Sequence, residues 1–129
     1  MELPQRYFDI VVDERNENVW VAGQAITRLD LDLNEKWTKD PIGWYAVSID
    51  YAPDGTLLAA EREYSKGQGQ NRLIRINSNG KIVNSFPLSF SPARVVANRK
   101  FWDVWVVGAR VIRFNPKDPS WDEPKVTDK

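Results

Sequence analysis

Short apolar stretches alternate with polar turns along the whole chain. Residues 7–12 are β-branched and aromatic, and a polar turn at 13–18 separates them from a second run at 19–23. A third run at 26–30 follows a tight connection at Gln24-Ala25, and 34–38, with Trp37, is a candidate fourth. The same rhythm predicts strands over 45–50, 56–61, 72–77 and 81–86, then over 94–97, 103–108 and 111–115. A last strand is expected around Trp121, and the tail from 122 to 129 reads as polar and loose. Pro53-Asp54-Gly55 and Asn79-Gly80 are turn signals, because Gly and Asn tolerate positive φ. No window holds the ~3.6-residue apolar period of a helix, so the pattern predicts an all-β chain.

The runs form a repeat. Val19-Trp20-Val21-Ala22-Gly23, followed by Ile26-Thr27-Arg28-Leu29-Asp30, returns as Val104-Trp105-Val106-Val107-Gly108, followed by Val111-Ile112-Arg113-Phe114-Asn115. Trp20 to Trp105 spans 85 positions, and so does Arg28 to Arg113, so this part of the unit is copied without a gap. A weaker copy lies between, in Leu57-Leu58-Ala59-Ala60-Glu61 and Leu73-Ile74-Arg75-Ile76-Asn77. Val11, Ile49 and Val96 align, as do Trp20, Leu58 and Trp105. Trp20 to Leu58 is 38 positions but Arg28 to Arg75 is 47, so the second unit carries nine extra residues within 61–71. The units occupy about 6–40, 44–88 and 91–124. Four short strands per ~40–50 residues predict a β-propeller blade. Apolar residues on both faces of each central run suit a sheet packed between two neighbours.

Composition narrows the functional classes. Lys+Arg and Asp+Glu are 18 each, which removes the charge footprint of a nucleic-acid or anionic-membrane binder. Cysteine and histidine are absent, so disulfides, thiolate metal sites and His-based nucleophile triads are excluded. The first residues lack the apolar core of a signal peptide, and no apolar run approaches the ~20 residues of a membrane span. A cytoplasmic protein is the resulting expectation.

The spacing of strand, turn, Val-Trp-Val, connection and Ile-x-Arg-x-Asp/Asn resembles the blade repeats of the superfamily holding NHL-repeat propellers, gluconolactonase-like proteins and streptogramin lyases. Phe86-Pro87-Leu88, Ser91-Pro92, then Val-Trp-Val and Val111-Ile112-Arg113-Phe114-Asn115-Pro116, is most similar to the lyase-type repeat. The resemblance implies a propeller, and it covers nearly the whole chain. It does not extend to the lyase activity, which relies on a histidine that this chain lacks. Such folds host enzymes, receptors and scaffolds alike.

Closed propellers have ~4–8 blades, whereas this chain has the pattern of three. Three blades alone would leave the outer faces of the first and last bare. The expected solution is a homodimer, each chain supplying half of a six-bladed ring, with the first blade of one against the third of the other.

The second-to-third strand connections and the links between units would share one rim. That places Gln24, Trp44, Tyr45, Arg94, Arg110 and the 61–71 insertion together. The insertion is the first place to look for a ligand, because long loops on rigid scaffolds concentrate function. Glu61, Glu63 and Tyr64 offer carboxylate and aromatic contacts, Arg62, Lys66 and Arg72 offer anion contacts, and Asn71 closes the segment. A solvated loop without a ligand is the plainer reading. Arg28, Arg75 and Arg113 recur in every unit, which points to a structural guanidinium rather than an anion ring. Trp20 and Trp105 are read as core between blades. Asp30-Leu31-Asp32-Leu33-Asn34 imitates the start of a calcium loop, but Glu35 and Pro41 stand where its glycine and bidentate glutamate belong, so it reads as a turn.

Three functions remain. The first is a non-catalytic module binding a small molecule or a protein, with no cofactor. The second is a hydrolase resembling the gluconolactonase branch, with calcium or magnesium on oxygens such as those of Asp9, Asp50, Glu61 and Asn98. The third is a structural half-propeller assembled with a larger partner.

Overall fold

The computed structural model describes residues 6–40, 43–63, 69–115 and 125–127. It is all-β, with no helix among the described residues. The strands are β1 (Tyr7–Asp13), β2 (Asn18–Gly23), β3 (Ile26–Leu29), β4 (Glu35–Lys39), β5 (Trp44–Tyr51), β6 (Leu57–Glu63), β7 (Asn71–Ile76), β8 (Ile82–Leu88), β9 (Pro92–Asn98), β10 (Asp103–Gly108), β11 (Val111–Phe114) and β12 (Lys125–Thr127). They form three four-stranded antiparallel sheets, β1 to β4, β5 to β8 and β9 to β12, each with its strands in chain order. Short polar turns between most consecutive strands return the chain directly beside the strand it has just left.

The sheets pack face to face through apolar residues at alternate strand positions. Leu57 and Ala59 of β6 join Ile49, Ile74 and Ile76 in one core with Trp20, Ala22 and Ile26 of the first sheet. Leu58 and Ala60 point the other way, into a second core with Val95, Val104, Val106, Ile112 and Phe114 of the third sheet. The middle sheet is therefore buried on both faces, which explains why β6 opens on four consecutive apolar residues rather than an alternating pattern. Trp20 is wholly buried and meets the Trp37 ring edge-on at 5.7 Å.

β1, β5 and β9 are the edge strands along which consecutive sheets meet. Their inner N–H groups have no strand to pair with, so they need side-chain acceptors. Asp9 Oδ2 accepts from the Ile49 amide at 2.9 Å, and Ser48 Oγ accepts from the Val95 amide at 3.1 Å. Asp50 Oδ2 accepts from the Ala97 amide at 2.8 Å. The Ser48 and Asp50 bonds step along both strands together, so β5 and β9 run in the same direction.

The recurring arginines tie each third strand to the start of its own second strand. Arg28 Nε donates to Asn18 Oδ1 at 2.6 Å, Arg75 Nε to Thr56 Oγ1 at 2.9 Å and Arg113 Nε to Asp103 Oδ2 at 2.9 Å. Arg75 also pairs with Asp54. Asp30 closes its turn by accepting from the Asp32 and Asn34 amides, both at 2.9 Å.

Four expectations need correction. Trp20 faces Val11 and Trp105 faces Val96, but Leu58 faces Asp50, so Asp50 rather than Ile49 is the equivalent residue. The cause is a second-unit turn one residue shorter than the other two. The tail expected to be loose supplies β12, which pairs with β11, while Trp121 lies outside the described residues. Trp105, expected in the core, is 38% exposed, because among the described residues no fourth sheet lies against its face of the third. The outer face of the first sheet is exposed along β1, at Phe8, Ile10 and Val12, and at Thr38 of β4, whereas Val19, Val21, Thr27 and Leu29 on β2 and β3 are buried.

Candidate functional site

The three units diverge most sharply at the residue three positions after Trp20, Leu58 and Trp105. In the first and third units it is Gly23 and Gly108. A Cβ on Gly23 would overlap the Arg6 carbonyl and the Tyr7 backbone, and one on Gly108 would overlap the Ser91 carbonyl and the Phe90 ring. Glycine is required there because the chain entering each sheet crosses close over that point. In the second unit the residue is Glu61, and its side chain is fully buried.

The insertion explains how Glu61 fits. In the short hairpins the closing bonds run from the Gly23 amide to the Ala25 carbonyl and from the Gly108 amide to the Arg110 carbonyl, both at 2.9 Å. In the second sheet the corresponding bond runs from the Glu63 amide to the Gln70 carbonyl at 2.8 Å. Part of the insertion therefore lengthens the hairpin, adding the pairs Glu61 with Arg72 and Arg62 with Asn71. β5 lengthens in step, so that Trp44 lies opposite Glu63 and Tyr45 opposite Arg62.

Around Glu61 the geometry is specific. Arg72 Nε donates to Glu61 Oε1 at 2.6 Å, and the Arg72 guanidinium lies 4.0 Å from the centre of the Trp44 ring. This cation–π contact holds the guanidinium flat. Glu61 Oε2 and Arg62 Nε are buried without a hydrogen-bond partner among the described residues. Burial pushes the Glu61 carboxyl above the usual carboxylate range, and the opposing pull of Arg72, with a smaller one from Lys39, does not cancel it. Lys39 Nζ itself donates to the Gly80 carbonyl at 3.0 Å.

The other rim residues are more dispersed. Glu63 Oε1 accepts from the Gln70 amide at 3.4 Å, and Tyr64 and Lys66 lie outside the described residues. The Tyr45 ring meets Phe8 edge-on at 6.0 Å. Gln24 Oε1 accepts from the Arg6 amide at 3.2 Å, and Arg110 Nη1 donates to Ser89 Oγ at 3.3 Å. Arg94 is exposed and makes no hydrogen bond or ion pair among the described residues. It lines a groove of about 520 Å³ along β1, β5 and β9, together with Asp9, Ser48, Asp50 and Arg99. The structure thus gathers Trp44, Glu61 and Arg72, with Arg62, Glu63 and Asn71 on the same hairpin, and sets Arg94 apart on an inner strand. The inner-strand clamps of Ser48 and Asp9 leave no local signal in the sequence, because their partners lie 40 or more positions away.

The oxygens considered for a cation do not converge. Asp9 and Asp50 hold inner-strand amides, Glu61 is buried against Arg72, and Asn98 Oδ1 accepts from the Lys100 amide at 3.2 Å. No group of three acidic residues suited to a metal ion occurs among the described residues. The chain matches no family model and no curated protein.

Proposed function

We propose that the chain is a non-catalytic binding module, built as three propeller blades whose ring is completed by a second copy, with its ligand site on the extended β6–β7 hairpin. The observation that carries this reading is the break in the repeat at Glu61. Two units hold glycine there for steric reasons, and the third holds a buried carboxylate on an arginine that stacks on tryptophan. A buried ion pair contributes little net stability, so it is poorly explained as scaffold. Departures from a repeat that is otherwise kept gather where a protein does something other than fold. The pair fixes the root of a projecting hairpin whose outer residues, Arg62, Glu63 and Asn71, are half-exposed. Rigid support below and polar groups above is the arrangement of a recognition site.

A thermal-shift screen of anionic, cationic and neutral small molecules tests the reading, because a ligand that binds only the folded state raises its melting temperature. Any stabilising compound is expected to lose its shift in Arg62→Ala, Glu63→Ala or Asn71→Ala, each shift being measured against the melting of the same unliganded variant. A stabilising compound indifferent to all three substitutions overturns the assignment of the site.

A further inference from the structure

We infer that the second copy docks with its β1 against β9 and β10 of the first, and that Arg94 of one copy pairs with Asp9 of the other at each of two closing contacts. This rests on the proposal that two chains complete the ring, and it names the face and the contact.

Two interfaces of one kind already exist inside the chain. The closest packing between consecutive sheets sets β5 on β1 and β2, and β9 on β5 and β6. Each interface therefore presents the first two strands of one sheet to the first strand of the next. A third interface of this kind would present β9 and β10 to the β1 of another copy. Six of the ten exposed large apolar residues described fall on those strands, while Leu31, Leu33 and Phe101 lie in turns and Val83 on β8. Val96, Trp105 and Val107 lie on β9 and β10, and Phe8, Ile10 and Val12 lie on β1. The residues equivalent to Trp105 are Trp20 and Leu58, and both are fully buried by the sheet that follows them.

The polar contacts favour the same occupant. Cross-strand register makes Asp9, Ser48 and Arg94 equivalent, since they face Ala22, Ala60 and Val107. It likewise makes Ile10, Ile49 and Val95 equivalent. Inside the chain, Asp9 and Ser48 accept from the Ile49 and Val95 amides. At the closing contact the residue in that place is Arg94, which can only donate. Its counterpart amide, that of Ile10, needs no acceptor from a partner, because Asp9 Oδ1 already takes it at 2.9 Å. The group beside that amide is the Asp9 carboxylate. An acceptor facing an amide at two interfaces thus becomes a cation facing a carboxylate at the third, and no donor is stranded. The switch also opposes misregistered pairing, since Arg94 facing another Arg94 would repel.

The absence of cysteine makes the test clean. Light scattering is expected to give twice the 14.9 kDa of the chain. Arg94→Glu, which sets two carboxylates together, is expected to weaken the dimer by about tenfold or more, and Arg94→Lys to retain it. Neither changes a described contact within the chain, so circular dichroism of both should match the parent. A chain carrying both Ile10→Cys and Arg94→Cys should form a covalent dimer with a short bis-maleimide, whereas either single variant should not. A parent that is monomeric at every concentration overturns ring closure itself. A dimeric parent that is unmoved by Arg94→Glu and gives no double-cysteine cross-link leaves ring closure standing and overturns this contact.

Discussion

Arg72 Nε stands 2.6 Å from Glu61 Oε1, yet burial still holds the Glu61 carboxyl above its ordinary range. The native state therefore keeps this proton more tightly than the unfolded chain, whose reference value is 4.5. Between that value and the raised native one, folding takes up a proton, so this residue makes stability fall as pH rises through the window. Glu61→Gln should flatten the decline, because glutamine still accepts from Arg72 and does not titrate. Chemical denaturation between pH 4.5 and pH 7 measures the slope. An unchanged slope in the variant would refute the assignment.

The same pair predicts an asymmetric response to losing the cation. Arg72→Met leaves a buried carboxylate without its hydrogen-bond partner, at a cost of about 3–5 kcal/mol near neutral pH. The loss should shrink toward the acid end of the window, where Glu61 can take a proton. Equal losses at both ends, from denaturant midpoints at matched slopes, would contradict this account.

Trp20 and Trp105 are equivalent in register but not in burial, at 0% and 38% exposed. Trp20→Ala opens a cavity between two sheets and should cost about 3–5 kcal/mol. Trp105→Ala should cost the single chain far less, while weakening association if the third sheet receives a second copy. Denaturation of both variants, with sedimentation of the second, separates packing within the chain from packing between chains.

How much of this was legible in the sequence follows from how local each signal is. The gapless copy of 19–30 at 104–115 declares the sheets, because a strand's faces are written in adjacent residues. The insertion at 61–71 was legible as a difference in spacing. Its chemistry was half legible, since Glu61 and Arg72 could be named as polar candidates but not as a buried pair under Trp44. The significance of Gly23 and Gly108 emerges only when the chain crossing over them is seen, because a glycine in a run of apolar residues does not say what approaches it. Matching apolar residues with apolar ones puts Ile49 in the place of Asp50. The actual register puts a carboxylate on that edge, where it bonds the Ala97 amide and Arg99. The arginine series was readable as structural from recurrence alone, and the structure supplies the acceptors, each two positions before the central residue of its unit.

Those acceptors make a prediction of their own. Arg28 Nε bonds Asn18 Oδ1, and its Nη1 donates to the Ser78 carbonyl at 3.2 Å, so the side chain ties the first sheet to a turn of the second. Arg28→Met keeps the stem and loses both bonds, which should cost about 1–2 kcal/mol. Asn18→Ala should cost a similar amount, and the double variant less than the sum, because the shared bond can be lost only once. Strict additivity would mean that the contact contributes nothing to stability.

The inner-strand clamps give the sharpest test of why consecutive sheets hold their register. Ser48 is buried, and its Oγ is the acceptor for the Val95 amide on an edge that no described strand covers. Ser48→Ala removes one oxygen and leaves that amide unsatisfied, at a cost of about 1–3 kcal/mol. Ser48→Thr keeps the acceptor and should recover most of the loss. Hydrogen exchange supplies a readout that simple loss of packing would not move. The Val95 amide should lose protection in Ser48→Ala by more than the fall in global stability requires, whereas the Ile49 amide, held by Asp9, should follow the global value. Equal changes at both amides would show that the clamp acts only through overall stability and does not set the junction between β5 and β9.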